Sequence, residues 1–127
     1  MAAPGKRYLA LVAEVRERIR EISPVDAAHE AAAGAVLLDV RENVEFSRRH
    51  IKGALHLGKG IVESEIEHYI PDVHTPILCY CAGGNRSALV AENLERMGYT
   101  NVRSVAGGIR AWIEAGLPTT GPREALD

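Results

Sequence analysis

The chain has 127 residues, 46% of them hydrophobic and 25% charged, with a formal net charge of -2. Those values fit a single globular domain and exclude a strongly basic partner surface for nucleic acid or anionic membrane. No segment approaches the roughly 20 apolar residues that cross a bilayer, and two cysteines do not form a disulfide framework.

Tyr8, Leu11, Val12, Val15, Ile19 and Ile22 recur at helical spacing, which predicts an amphipathic helix over about 6–21. Arg16, Arg18 and Arg20 alternate with Glu14, Glu17 and Glu21, the pattern of a solvated face. Ser23-Pro24 is a helix start, with Ser as N-cap and Pro at the first position. The short helix it opens should stop near Gly34. The run 36–40 is apolar apart from Asp39, as suits a strand buried on both faces. A short helix is expected over 42–49, a strand over 54–57, and a helix over 61–70 that ends before Pro71. The apolar run 76–80 predicts a further strand and 85–97 a helix stopped by Gly98. A last strand covers 102–105, and a last helix 108–115 stops at Gly116. Alternating strands and helices imply an α/β fold with a mostly parallel sheet. Ligand sites in such sheets lie beyond the carboxyl ends of the strands. The expected organisation is an N-terminal helix at 1–21 packed on a domain at 22–120, with a tail at 121–127.

The chemistry concentrates in Cys81, Ala82, Gly83, Gly84, Asn85, Arg86 and Ser87, between the 76–80 strand and the helix after it. Unpaired N–H groups at a helix start carry partial positive charge, and successive N–H groups in a tight turn form an anion nest. Arg86 adds a fixed positive charge. Surroundings of this kind lower a cysteine pKa from about 8.5 to about 3.5–7.5, and the thiolate is the nucleophilic form. Cys81 is therefore the candidate nucleophile, against the plain reading of a buried structural thiol. Gly83 and Gly84 permit positive φ and close approach to an anion. Ser87 is placed to cap the helix, and its hydroxyl is a candidate partner for the Cys81 sulfur. Cys79, inside the strand, reads as a core residue, with a resolving thiol as the alternative. Asp39, ending a buried strand, needs a partner. A structural ion pair or loop hydrogen bonds are favoured there over direct chemistry. Arg41 is a candidate to line the pocket mouth. None of the five histidines has zinc-ligand spacing, so no metal is expected. His50 reads as a loop hydrogen-bonder and Trp112 as a core anchor.

Four segments in order resemble the rhodanese family of single-domain sulfurtransferases: residues 38–42, residues 50–54, the loop 81–87, and residues 107–112, within a likeness that spans about 22–119. The resemblance implies a five-stranded parallel sheet of order 1-5-4-2-3 with helices on both faces. The N-terminal helix is an addition to that fold. It also implies a first strand near Glu21-Ile22-Ser23, which periodicity does not reveal.

The implied activity is transfer of sulfane sulfur through a Cys81 persulfide. The donor is thiosulfate or a persulfide, and the acceptor cyanide in assays or a thiol or protein in cells. No cofactor is implied, because the cysteine carries the sulfur. Four residues separate Cys81 from Arg86, whereas related Cdc25-type and tyrosine phosphatases have five. A shorter loop gives a smaller ring of N–H donors, suited to one extra sulfur rather than a phosphate. Many thiosulfate-using members carry a basic residue directly after the cysteine, where this chain has Ala82. A phosphatase, an arsenate reductase and a sulfur-relay module with little thiosulfate turnover are the competing readings. A cytoplasmic monomer or homodimer is expected, in a compartment that keeps Cys81 reduced.

Overall fold

The computed structural model describes residues 3–122. Its elements in chain order are α1 (Lys6–Arg16), β1 (Arg20–Ile22), α2 (Pro24–Ala32), β2 (Val36–Asp39), α3 (Asn43–Arg48), β3 (Leu55–His56), α4 (Val62–Tyr69), β4 (Ile77–Tyr80), α5 (Asn85–Arg96), β5 (Val102–Val105) and α6 (Gly108–Glu114). The strands form one sheet of order β1-β5-β4-β2-β3, and every pairing in it is parallel.

Parallel strands joined by helical crossovers must be covered on both faces. Leu38 and Cys79 point to one face, where Val12 and Val15 of α1, Ile66 of α4 and Leu94 of α5 pack. Leu37, Leu78 and Tyr80 point to the other, against Ala27 of α2 and Trp112 of α6. The alternation along β2 and β4 explains why both read as unbroken apolar runs. Trp112 is the expected anchor, and its indole N–H donates to the Pro118 carbonyl at 2.9 Å. The start of α2 is also as expected, with the Ser23 hydroxyl accepting from the Asp26 N–H.

The N-terminal segment differs from the expected helix over 6–21. Helix α1 ends at Arg16, and Arg20–Ile22 pairs with β5 as the edge strand. Helical spacing misled because Ile19 and Ile22 bury on opposite sides of the sheet. Ile19 joins Val12 and Val15, whereas Ile22 faces Ala27. The helix itself packs on the domain, with Val12 and Val15 each 1% exposed. Of the expected tail, residues 123–127 lie outside the described residues.

The carboxyl end of β2 is fastened by a buried ion pair. Asp39 is fully buried and accepts from the Arg41 backbone N–H at 3.0 Å. It also takes the guanidinium in a two-pronged contact, Nε at 3.1 Å and Nη2 at 2.9 Å. The same Nη2 donates to the Arg49 carbonyl just past α3. The Arg41 carbonyl accepts from His56 Nε2 at 2.8 Å, which reaches β3. One buried pair thus ties β2, α3 and β3 together. Removing one partner of such a pair strands the other without compensation. Asp39→Ala should therefore lose about 3–5 kcal/mol of stability in urea unfolding. A loss below about 1 kcal/mol, the value of an exposed pair, would show that Asp39 does not hold this end of the sheet.

Candidate active site

Cys81 follows β4 and sits at the floor of an open cleft of about 650 Å³. Its sulfur receives the Gly84 N–H at 3.1 Å and the Ser87 N–H at 3.4 Å. The Ser87 hydroxyl lies 3.5 Å from the sulfur and 2.8 Å from the Ser104 hydroxyl. When Cys81 is a thiolate, Ser87 donates to sulfur and accepts from Ser104. Both serines are fully buried, so this short relay is shielded from water. The first turn of α5 has N–H groups without intrahelical acceptors, and that of Ser87 is aimed at the same sulfur.

Gly84 caps α5 with φ of +102°, in the left-handed region. Gly83 does not adopt positive φ, so conformational freedom does not explain a glycine there. A Cβ there would make one tight contact, 3.2 Å from Nη1 of Arg110. The β5–α6 turn closes on the loop from the other side. The Ile109 N–H donates to the Cys81 carbonyl at 2.9 Å, and the Arg110 N–H to the Ala82 carbonyl at 3.2 Å. Gly108 makes this approach possible, since its φ is +60° and a Cβ would lie 2.4 Å from the Cys81 carbonyl oxygen.

Arg86 does not hydrogen-bond the Cys81 sulfur. Its guanidinium forms a two-pronged pair with Glu45 of α3, at 2.7 and 3.0 Å. That pair raises the Arg86 pKa and lowers the Glu45 pKa to about 2. Glu45 also accepts the Glu42 N–H at 2.9 Å, so the same carboxylate caps α3. Asn85 accepts from Arg16 of α1 at 3.0 Å, and Tyr8 of α1 lines the cleft. Burial raises the Tyr8 pKa, and the nearby Cys81 adds to the rise. The N-terminal helix is thus one wall of the site.

The expected residues divide cleanly. Residues 81–87 gather as expected, but Gly84 and not Ser87 caps α5: Ser87 lies within the helix, and its hydroxyl is turned to the Cys81 sulfur and Ser104. Asp39 and Arg41 do not join them: Arg41 is turned inward and only 6% exposed, so Glu42, Val44 and Glu45 line the mouth in its place. Burial drives the Cys79 pKa up, with the neighbouring Cys81 adding to it. Cys79 has no exposure and is a core residue. His50 bonds the Phe46 carbonyl through Nδ1 at 2.9 Å, and no cluster of metal-ligating side chains occurs among the described residues. The sequence reading did not single out Glu45, Ser104, Tyr8, Arg16 or Arg110. Only Glu45 left a trace, as the third residue after Glu42 in a capping box.

Two substitutions probe this geometry. Gly108→Ala should lower stability by at least roughly 1–3 kcal/mol, the cost of a strained φ, and slow alkylation of Cys81. Unchanged urea unfolding and alkylation would mean that the turn can shift freely. Glu45 has a folded pKa of about 2 against an ordinary 4.5. Its contribution to stability is complete above 4.5 and is lost as pH falls through about 2. Glu45→Gln should therefore show a shallower loss of urea stability than the parent over that acid range, and identical acid limbs would refute the pairing.

The rhodanese-like domain family pattern matches residues 23–115, from the N-cap of α2 to the end of α6. A thiosulfate sulfurtransferase GlpE from Haemophilus influenzae is 38% identical over 100 residues, covering 78% of this chain and 92% of that protein. A thiosulfate sulfurtransferase GlpE from Pseudomonas entomophila is 37% identical over 93 residues, covering 73% and 84%. Among solved structures, a protein of unknown function from Rhodopseudomonas palustris, described as a possible tyrosine phosphatase, superposes with a TM-score of 0.77. It is 29% identical and covers 94% of this chain and 99% of its own. A rhodanese-related protein from Thermoplasma volcanium gives a TM-score of 0.69 at 32% identity, covering 80% and 97%. The sheet order, the cysteine loop at the end of β4 and these relatives agree, and the chain belongs to the rhodanese-like domain family.

Proposed function

We propose that this sulfurtransferase carries sulfane sulfur as a persulfide on Cys81, taking it from thiosulfate or a persulfide donor. The observation that supports it most directly is the Cys81 sulfur itself, bonded by the Gly84 and Ser87 N–H groups at the base of the cleft. Those donors are aimed at the sulfur that attacks and that carries the transferred sulfur.

In the first half-reaction the Cys81 thiolate attacks the outer sulfur of thiosulfate. A Cys81 S–S bond forms, the donor S–S bond breaks, and its electron pair leaves on sulfite. In the second half-reaction an acceptor nucleophile attacks the terminal sulfur of the persulfide and the thiolate is restored. Cyanide leaves as thiocyanate. The thiolate of a small thiol or of a protein takes the same sulfur in cells. Neither half-reaction transfers a proton at the reacting sulfur, so no general base is needed. The sulfur rides on the cysteine, so no metal or organic cofactor is needed either. The persulfide bears one negative charge, and the positive end of the α5 dipole, with the Gly84 and Ser87 N–H groups, lies beside it. All the groups named belong to one chain, which fits either a monomer or a homodimer. A cytoplasmic setting is consistent with the need to keep Cys81 reduced.

The phosphatase reading keeps one support, the description of the Rhodopseudomonas palustris relative. A four-residue spacing between Cys81 and Arg86 and only two backbone N–H bonds to the sulfur favour sulfur transfer. Intact mass spectrometry after incubation with thiosulfate separates the two. The parent protein should gain one sulfur atom, removable by cyanide, and Cys81→Ser should gain none. No sulfur gained from thiosulfate or an organic persulfide, together with hydrolysis of p-nitrophenyl phosphate, would reverse the assignment.

A further inference from the structure

Four charged side chains line the Cys81 cleft: Glu42, Glu45, Arg86 and Arg110. Glu45 and Arg86 neutralise each other in their two-pronged pair. Glu42 is committed to capping α3, where its carboxylate accepts a backbone N–H. Arg16, just behind the loop, is held by Asn85 and lies 3.6 Å from Glu21. Among the described residues, only the guanidinium of Arg110 lines this cleft as a cation without a hydrogen bond or ion pair.

Its backbone is fixed nonetheless. The Arg110 backbone N–H is bonded to the Ala82 carbonyl at 3.2 Å. Its Nη1 comes within 3.2 Å of where a Cβ on Gly83 would stand. Gly83, which backbone conformation does not require, thus spares this guanidinium a tight contact. The position directly after the nucleophile is Ala82 and supplies no charge.

We propose that Arg110 is the donor-binding cation of the cleft. It holds the sulfonate end of a thiosulfate-type donor while the outer sulfur faces Cys81. The inference rests on the sulfurtransferase reading and names the charge that reading otherwise lacks. A guanidinium fork matches two oxyanion oxygens at once. It also stays beside those oxygens as the S–S bond breaks and charge gathers on departing sulfite. A cation is needed here because a dianionic donor must approach a thiolate past the Glu42 carboxylate.

The test uses Arg110→Ala and Arg110→Lys in the full chain, with two readouts. In thiosulfate:cyanide turnover, Arg110→Ala should lower kcat/KM about tenfold, mainly through KM, with part of the loss restored in Arg110→Lys. In alkylation of Cys81, the rate with anionic iodoacetate relative to neutral iodoacetamide should fall several-fold in Arg110→Ala. The iodoacetamide rate itself should hold, which shows that the loop is intact. Unchanged KM and an unchanged alkylation ratio would overturn the assignment. Absence of thiosulfate turnover in the parent protein would overturn the donor reading instead, and the alkylation ratio would still decide whether Arg110 draws anions to Cys81.

Discussion

The site depends on the seating of the β5–α6 turn beneath the cysteine loop. The Cys81 and Ala82 carbonyls accept N–H groups from Ile109 and Arg110, so the loop's oxygens are drawn away from the cleft. Its N–H groups are then free to face inward, toward the Cys81 sulfur. A loop built the other way, with carbonyls inward, would repel a thiolate. The arrangement is possible only because Gly108 has no Cβ. The glycine pair of the closing signature therefore acts on the sulfur through the backbone of another loop rather than by touching it.

A second layer of constraint acts on charge. The loop arginine looks from sequence like the positive charge that would activate the thiolate, yet its two-pronged contact is with Glu45. That pair joins α3 to α5 across the cleft and sets the mouth's width. Polarisation of the sulfur falls instead to N–H dipoles and the Ser87–Ser104 relay, which are fixed in place and not titratable near neutrality.

Most of the fold is legible in the residues, because strands covered on both faces must read as apolar runs and helices must read as 3.6-residue stripes. Residues 36–38 and 77–80 follow that rule, and so does the punctuation at Gly34, Pro71 and Gly98, whereas 102–105 interrupts its valines with Arg103 and Ser104. The rule fails between Arg16 and Ile22, where three residues of edge strand are too short to show a period. There Ile19 and Ile22 keep helical spacing by coincidence while facing different cores. The nucleophile and its loop are legible because their chemistry is local: seven consecutive residues carry it. What closes the site is not local. Glu45 meets Arg86 from 41 residues away, Arg16 meets Asn85 from 69, and Ser104 meets Ser87 from 17. Each is an ordinary polar residue in its own segment, and only the parallel crossover connections bring the partners together.

Asp39 and Arg41 show the converse case, a conspicuous motif whose chemistry is wholly structural. An acid at the end of a buried strand and a base two residues later are conspicuous beside a nucleophile on the neighbouring strand. Burial decides between the readings. A guanidinium 6% exposed has its Nε and Nη2 held by the Asp39 carboxylate and the Arg49 carbonyl, and it lines a neighbouring depression with Asn43 and Gly58 rather than the Cys81 cleft. Its work is to set where α3 begins and ends. Since α3 carries Val44 and Glu45 into the cleft, this pair places the part of the lining that α3 supplies. Among the described residues, the cleft's one unpaired lining cation, Arg110, thus shares the cleft with a helix that a buried ion pair outside it positions.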